Sequence, residues 1–334
     1  MDAYPIHKGK IMSKAAYAAQ AGGADTGTAG AAAQNSAGAA ASAPSRRLGW
    51  RHIAVGVCFS VIWSSAFVAG KVVVTEMGPF VGLFYRFVGT VFVLGLLCGK
   101  SLWGPQAGRA LRAGMVLGLL NNVAYLGLSF SALQRVSPPW VVVIVSCSPF
   151  VTLLLGVARG LESFSAAKVL GFGLSLAGIV VMVGVGRLDG AAGLGLLLAA
   201  GATVAFSVGA VLFRGRYSAV PLLPVNFWMS VCAMCCFAPA AWQSAVTPLT
   251  VSTPALLALI WLAVVSLLGM ALWLLLIRTQ GASTAAAYNM LNPLSGLALS
   301  ALLLGVPIGI ADVAGAAAIV AGLAVALRAR PARS

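Results

Sequence analysis

The chain has 334 residues, 60% of them hydrophobic and 8% charged, with a net charge of +15 and a mean hydropathy of +1.00. A water-soluble protein of this size carries about a quarter charged residues, so this composition excludes a soluble fold and makes lipid the main solvent. The basic residues lie between apolar runs, where they suit anionic headgroups and membrane orientation rather than nucleic acid.

Residues 1–45 are rich in Ala, Gly, Ser and Gln and have no hydrophobic period, the composition of a disordered low-complexity tail. No apolar core follows Lys8, Lys10 and Lys14, so a secretory signal peptide is not expected there. From Arg51 onward ten apolar runs follow, at 52–74, 79–99, 111–133, 138–158, 167–186, 192–213, 220–242, 255–277, 282–304 and 307–327. Each is close to the ~20 residues a helix needs to cross a bilayer. Strands of a membrane barrel would be about 10 residues long and alternate in polarity, and these runs do not. The expected fold is therefore an all-α integral membrane protein of ten transmembrane helices. The connections are too short for a soluble domain. Gly95/Gly99 and Gly114/Gly118 are small-residue pairs that would let helices approach closely.

With the N-terminus on the cytoplasmic side, 17 of the 21 basic residues fall on cytoplasmic segments and three on outer ones, Arg86 being within a helix. The bias satisfies the positive-inside rule and places both termini in the cytoplasm, in a bacterial cytoplasmic membrane.

A shift of 144 residues superposes the stretch around Pro149 on the stretch around Pro293 without a gap; in the first and sixth helices Phe206 is the counterpart of Trp63. Pro149 falls on Pro293, Gly171 on Gly315 and Gly178 on Gly322. The halves are a first five-helix repeat over 50–187 and a second over 192–328. Five is odd, so the second repeat enters the membrane inverted relative to the first, the plan of many secondary transporters. Lys168 superposes on Asp312, a cation on the cytoplasmic copy and an anion on the outer one. Pro149 and Pro293 are symmetry mates in the fourth and ninth helices. A proline at mid-helix removes a backbone donor, and broken helices at the midplane hold substrate sites and pivots in such folds. Both are candidate hinges.

The segments "IWSSAFVAGKVV" (Ile62–Val73) and "YRF" (Tyr85–Phe87), and a proline-centred fourth helix followed by "GLES" and repeated in the second half, resemble the drug/metabolite transporter superfamily, EamA type. The resemblance covers residues 50–328. It implies a ten-helix permease or exporter of small metabolites, amino acids or drugs, with its site in a cavity between the repeats. Family members often carry Gly-Glu after the proline helix in both halves. Here the pairs are Leu161-Glu162 and Gly305-Val306, so Glu162 reads as a charge at a helix end.

Polar groups deep in lipid are costly and tend to face an interior cavity. The residues expected to meet solute are Trp63, Asn121, Asn122, Tyr125, Ser148, Phe206, Trp273, Tyr288, Asn289 and Asn292. For each amide the alternative is a bond to a neighbouring helix, and for Trp63 and Phe206 it is core packing. Arg86 is the one charge well inside a helix, open to a structural pairing or an anion contact. All six acids lie in the tail or near helix ends, which points to facilitated diffusion or exchange rather than proton coupling. Cys58, Cys98, Cys147, Cys232, Cys235 and Cys236 sit in apolar runs and His7 and His52 lie near the N-terminus, so neither a metal site nor a cofactor is expected. No catalytic motif is present. The expected partners are a small-molecule solute and membrane lipid, with the oligomeric state left open. An intramembrane enzyme and a non-transporting scaffold are the rival readings.

Overall fold

A chain in lipid must satisfy its backbone internally, and a helix does so within one segment. The structure, a computed structural model, describes residues 50–136, 138–184, 193–304 and 307–329, and these are helical apart from short connections. The tail at 1–45 lies outside the described residues, as do the ends of the first repeat at 185–187 and the C-terminal residues from 330.

Ten helical segments follow in order: α1 Trp50–Met77, α2 Pro79–Cys98, α3 Ala107–Leu133, α4 Pro138–Val145 continuing as Ser148–Ala158, α5 Ala166–Val183, α6 Gly193–Tyr217, α7 Leu222–Trp242, α8 Thr253–Gln280, α9 and α10 Ile310–Arg328. Among the described residues, nine are long and apolar enough to cross a membrane. The remaining one, α9, runs in three pieces, Ala282–Ala287, a 3-10 turn at Tyr288–Leu291, and Asn292–Leu304. Its pieces join end to end, and at about 1.5 Å per residue they are long enough to span.

The corners follow local rules. Gly78, at φ 73°, lets α1 reverse into α2, which begins on Pro79, a residue suited to a first turn. Gly281, at φ 92°, does the same between α8 and α9. Ser165 and Ser252 cap α5 and α8, accepting from the Lys168 and Ala255 N–H groups.

The packing has the symmetry of an inverted repeat. Helix α1 packs on α8 and α9, as α6 packs on α3 and α4. Helices α5 and α10, symmetry mates, form the most extensive pair in the bundle. Their crossing is lined by the superposed glycines. A β-carbon at Gly171 would lie 2.5 Å from the Gly322 carbonyl oxygen, and one at Gly178 would lie 2.6 Å from that of Gly315. The 144-residue shift exchanges these two contacts. Between them Ser175 Oγ donates to the Ile319 carbonyl at 3.1 Å, and Ser175 and Ile319 are themselves mates. The pseudo-two-fold axis therefore passes through this crossing.

The proline breaks differ from a simple bend. In α4 a turn at Ser146–Cys147 interrupts the helix, and Pro149 lies in the first turn of the segment that follows. In α9 the 3-10 turn ends at Leu291, and Pro293 is again the second residue of the next segment. First-turn N–H groups have no intrahelical partner anyway, so both prolines stand where their missing donor costs least.

Of the two glycine pairs, one works as expected. Gly114 and Gly118 let α3 approach α7 closely, with β-carbons there falling 2.2 Å from Trp228 Cβ and 2.7 Å from the Met229 carbonyl oxygen. Gly99 faces open space, so Gly95/Gly99 is not a helix-packing pair.

Candidate functional site

Helix α3 is not uniform. Its turn from Gly118 to Ala124 is a π-helix, a distortion frequent at functional sites. Consecutive residues Asn121 and Asn122 sit in that turn, and both are buried. They line one cavity with Trp63 of α1, Arg86 and Phe87 of α2, Leu126 of α3, Asn226 of α7, and Ser266 and Met270 of α8. Asn122 and Ser266 are mates under the 144-residue shift. The cavity volume is about 10 Å³, room for about one water molecule, so the structure is closed around this chamber.

Its polar wall is partly satisfied. Arg86 Nε donates to Ser266 Oγ at 2.5 Å. Asn226 Nδ2 donates to the Ser266 and Leu267 carbonyls at 3.3 and 3.2 Å, fixing α7 to α8. Both side-chain polar atoms of Asn121 are buried without a partner, and the amide lies against Gly209 of α6, where a β-carbon would fall 2.1 Å from Oδ1. The partner of Arg86 is thus a hydroxyl. None of the three described acids pairs with the guanidinium. Glu76 accepts from Ser252, Glu162 from Lys168 and Ser283, and Asp312 from the Gly309 N–H.

Beside the chamber runs an aromatic stack. Trp63 meets Phe59 at 5.4 Å, Phe59 meets Trp273 at 5.6 Å, Trp273 meets Phe206 at 4.6 Å, and Phe206 meets Tyr125 at 4.8 Å between centroids. Of these Trp63 lines the cavity, while Trp273, Phe206 and Tyr125 form the packed layer next to it.

The residues beside the prolines form a separate layer. Ser207 of α6 donates to the Ser148 carbonyl at 3.3 Å, and Ser64 of α1 donates to the Asn292 carbonyl at 3.1 Å. Each acceptor is the residue before a proline. One hydroxyl per repeat therefore holds the interrupted helix to its neighbour. Thr203 and Ser60 lie one turn away and reach the Ile144 carbonyl and Asn292 Oδ1 at 3.2 and 3.1 Å. Asn292 Nδ2 donates to Asn289 Oδ1 at 3.3 Å. Tyr288 is fully buried, and its hydroxyl lies 3.2 Å from Gln280 Oε1. So Ser148, Tyr288, Asn289 and Asn292 belong to the proline layer and its surroundings and do not line the chamber.

Glu162 is more than a charge at a helix end. It receives Lys168 Nζ at 3.0 Å and the Ser283 N–H at 2.9 Å, and it also bonds the Ser283 hydroxyl. Lys168 Nζ reaches Ser283 Oγ at 2.9 Å. This cluster ties the α4–α5 connection of the first repeat to the start of α9 in the second. At the same end Arg214 donates to the Arg278 carbonyl and Gln280 to the His52 carbonyl. From Ala282 to Leu291, α9 is buried except at Thr284. From Asn292 to Leu299 it is half-buried or exposed.

The sequence reading did not single out Ser60, Ser64, Thr203, Ser207, Asn226 and Ser283. Small hydroxyls and a single amide are common in membrane helices, and their partners on other helices lie 40 to 235 positions away. The 143-residue offset that pairs Trp63 with Phe206 also pairs Ser64 with Ser207 and Ser60 with Thr203, and it was the one available signal. No group of three or more His, Cys, Asp or Glu residues that would hold a metal occurs among the described residues.

This architecture has known counterparts. A solved crystal structure matches 83% of the chain, and 96% of its own, with a TM-score of 0.68 at 23% identity. That likeness concerns the fold. The protein named Uncharacterized transporter YvbV of Bacillus subtilis (strain 168) is 27% identical over 214 residues, covering 63% of this chain and 69% of that protein. The EamA-like transporter family matches twice, at residues 50–184 and 193–328, once on each side of the pseudo-two-fold axis. With nearly every described residue inside one of those two matches, this integral membrane chain is a member of the EamA-like transporter family.

Proposed function

We propose that the protein is a secondary transporter that exports small metabolites, of the amino-acid or amphiphilic drug-like kind, by alternating access. The observation that carries the reading is one polar chamber, closed to about 10 Å³, flanked by two symmetry-related helix interruptions at Pro149 and Pro293. A scaffold has no use for a buried arginine and an unpartnered asparagine in the lining of one cavity, and an enzyme would need a nucleophile or acid–base pair there.

The clustered basic residues orient the molecule. The end holding Arg214, Arg278, Lys168 and Glu162 is the cytoplasmic one, and the Glu76–Ser252 contact is outside. In this bacterial-membrane orientation the cytoplasmic half of α9 is sealed and the outer half is the looser one. The structure then corresponds to a carrier closed toward the cytoplasm. With no acid at the chamber wall, the solute's own gradient drives flux, by diffusion or exchange.

Liposomes loaded with a panel of amino acids and amphiphilic amines test this directly. At least one solute is expected to leave faster than from protein-free liposomes. Pro149→Ala and Pro293→Ala should each slow that flux while leaving the amount of folded protein unchanged, because each lets an interrupted helix run straight. A panel in which no solute moves faster than through lipid alone would sink the reading.

A further inference from the structure

We infer that the transported solute carries a carboxylate or similarly small anionic group, for which Arg86 is the counter-charge. The inference rests on the chamber being the transport site and names the chemistry it selects.

Arg86 is 8% exposed and projects from α2 into the cavity. Its Nε donates to Ser266 Oγ, and the guanidinium carbon lies 5.7 Å from the centroid of the Phe87 ring. Among the described residues Nη1 and Nη2 have no hydrogen-bond partner, and all three described acids are held by other groups, as above. A guanidinium presents its N–H groups as a planar fork that fits a carboxylate with two parallel bonds. A buried ion without an opposite charge is strongly unfavourable, so the chamber lacks what a bound anion would bring. The second observation is Asn121. Its amide is 2% exposed, and neither its donor nor its acceptor is used. Asn121 is among the residues that line the cavity with Arg86 and Asn122, its amide packed against Gly209 of α6.

The remaining walls are Trp63, Phe87, Leu126 and Met270, which suit an apolar body attached to the charged head. A cation is repelled, and a neutral isostere leaves the guanidinium as poorly paired as before. The anion is therefore preferred to its amide. Since the cavity holds about one water, binding accompanies widening of the chamber, and pairing with the guanidinium is what favours the wider state.

The test uses two matched pairs, acetate with acetamide and phenylacetate with phenylacetamide, titrated against the purified full chain in detergent with thermal unfolding as the readout. At least one carboxylate is expected to bind about tenfold or more tightly than its amide, as a charge-assisted bond requires. Arg86→Gln should erase that ratio and Arg86→Lys should keep part of it. Asn121→Asp, which is isosteric, adds a carboxylate to the residues lining the chamber and should suppress anion binding even if Arg86→Gln does not fold. Equal binding of both members of each pair, no binding by any of the four, or a preference that survives Asn121→Asp would overturn the inference. Liposome flux of the same compounds separates it from the transporter reading. Flux of amides and carboxylates at equal rates leaves transport standing and removes the anion preference. Arg86-dependent carboxylate binding without flux of any of the four keeps the site and counts against transport.

Discussion

Replacing Glu162 by Ala is expected to shift the protein strongly away from the state proposed above, closed at the end that holds Glu162. The carboxylate is the common acceptor for Lys168 Nζ, the Ser283 N–H and the Ser283 hydroxyl. The Lys168 and Glu162 side chains are 17% and 9% exposed, so water replaces little of what is lost. Removing one member of a buried pair costs about 3–5 kcal/mol. The low end of that range suits a cluster at a membrane surface, and each ~1.4 kcal/mol is tenfold in population. Closure should weaken by about two orders of magnitude. Because the contact joins the two repeats, the loss falls on their relative position rather than on either repeat's fold. A single cysteine in place of Ala285, sealed in the structure, reports it. Thiol labelling from the Glu162 side should rise sharply in Glu162→Ala and less in Glu162→Gln, which retains one acceptor oxygen. Unchanged labelling in Glu162→Ala would show that the cluster is incidental to closure.

The second large effect concerns the α5–α10 crossing. Gly178→Leu and Gly315→Leu each push a side chain into a backbone carbonyl already at 2.6 Å from the β-carbon position. Overpacking costs about 1–3 kcal/mol where side chains can yield. Backbone cannot yield, so the helices must separate and the cost lies at or above the top of that range. The pseudo-two-fold exchanges the two positions, so the two variants should lose similar melting temperature. Gly173 lies on the same helix with nothing within 4 Å of its β-carbon. Gly173→Leu should melt like the parent. A parent-like melting curve for Gly178→Leu, or a large loss in Gly173→Leu, would contradict this account of the crossing.

Much of this architecture is visible in the sequence because hydrophobic runs and prolines are local signals. Ten apolar runs give ten helical segments, and the register of Pro149 on Pro293 carries the inverted repeat. The same register predicts the paired glycines, which meet at the axis. The chamber is less legible. Asn121 and Asn122 stand out as consecutive amides in an apolar run, but that a π-turn presents both is a matter of how α3 seats on α7 through Gly114 and Gly118. Tyr288, Asn289 and Asn292 carry the same polarity, yet they bond Gln280, Ser60 and each other. Polarity alone does not tell a cavity wall from a helix contact. Glu162 looks like a surface charge until Ser283, 121 residues away, is brought against it. Arg86 is conspicuous by sequence, but its lack of a carboxylate partner emerges only when the three described acids are each seen held elsewhere.

The central claim is that the two repeats expose one chamber to opposite sides of the membrane in turn. Accessibility of Asn122 tests it without knowledge of the solute. With the six native cysteines replaced by alanine and Asn122→Cys introduced, membrane vesicles of defined orientation are treated from either face with a membrane-impermeant thiol reagent. Labelling from both faces is the predicted result, and in the proposed orientation the cytoplasmic reaction is the slower, since Glu162 and Ser283 tie the repeats together at that end. Labelling from one face alone, in the parent and in Glu162→Ala alike, would contradict alternating access and leave the chamber a fixed feature of a membrane scaffold.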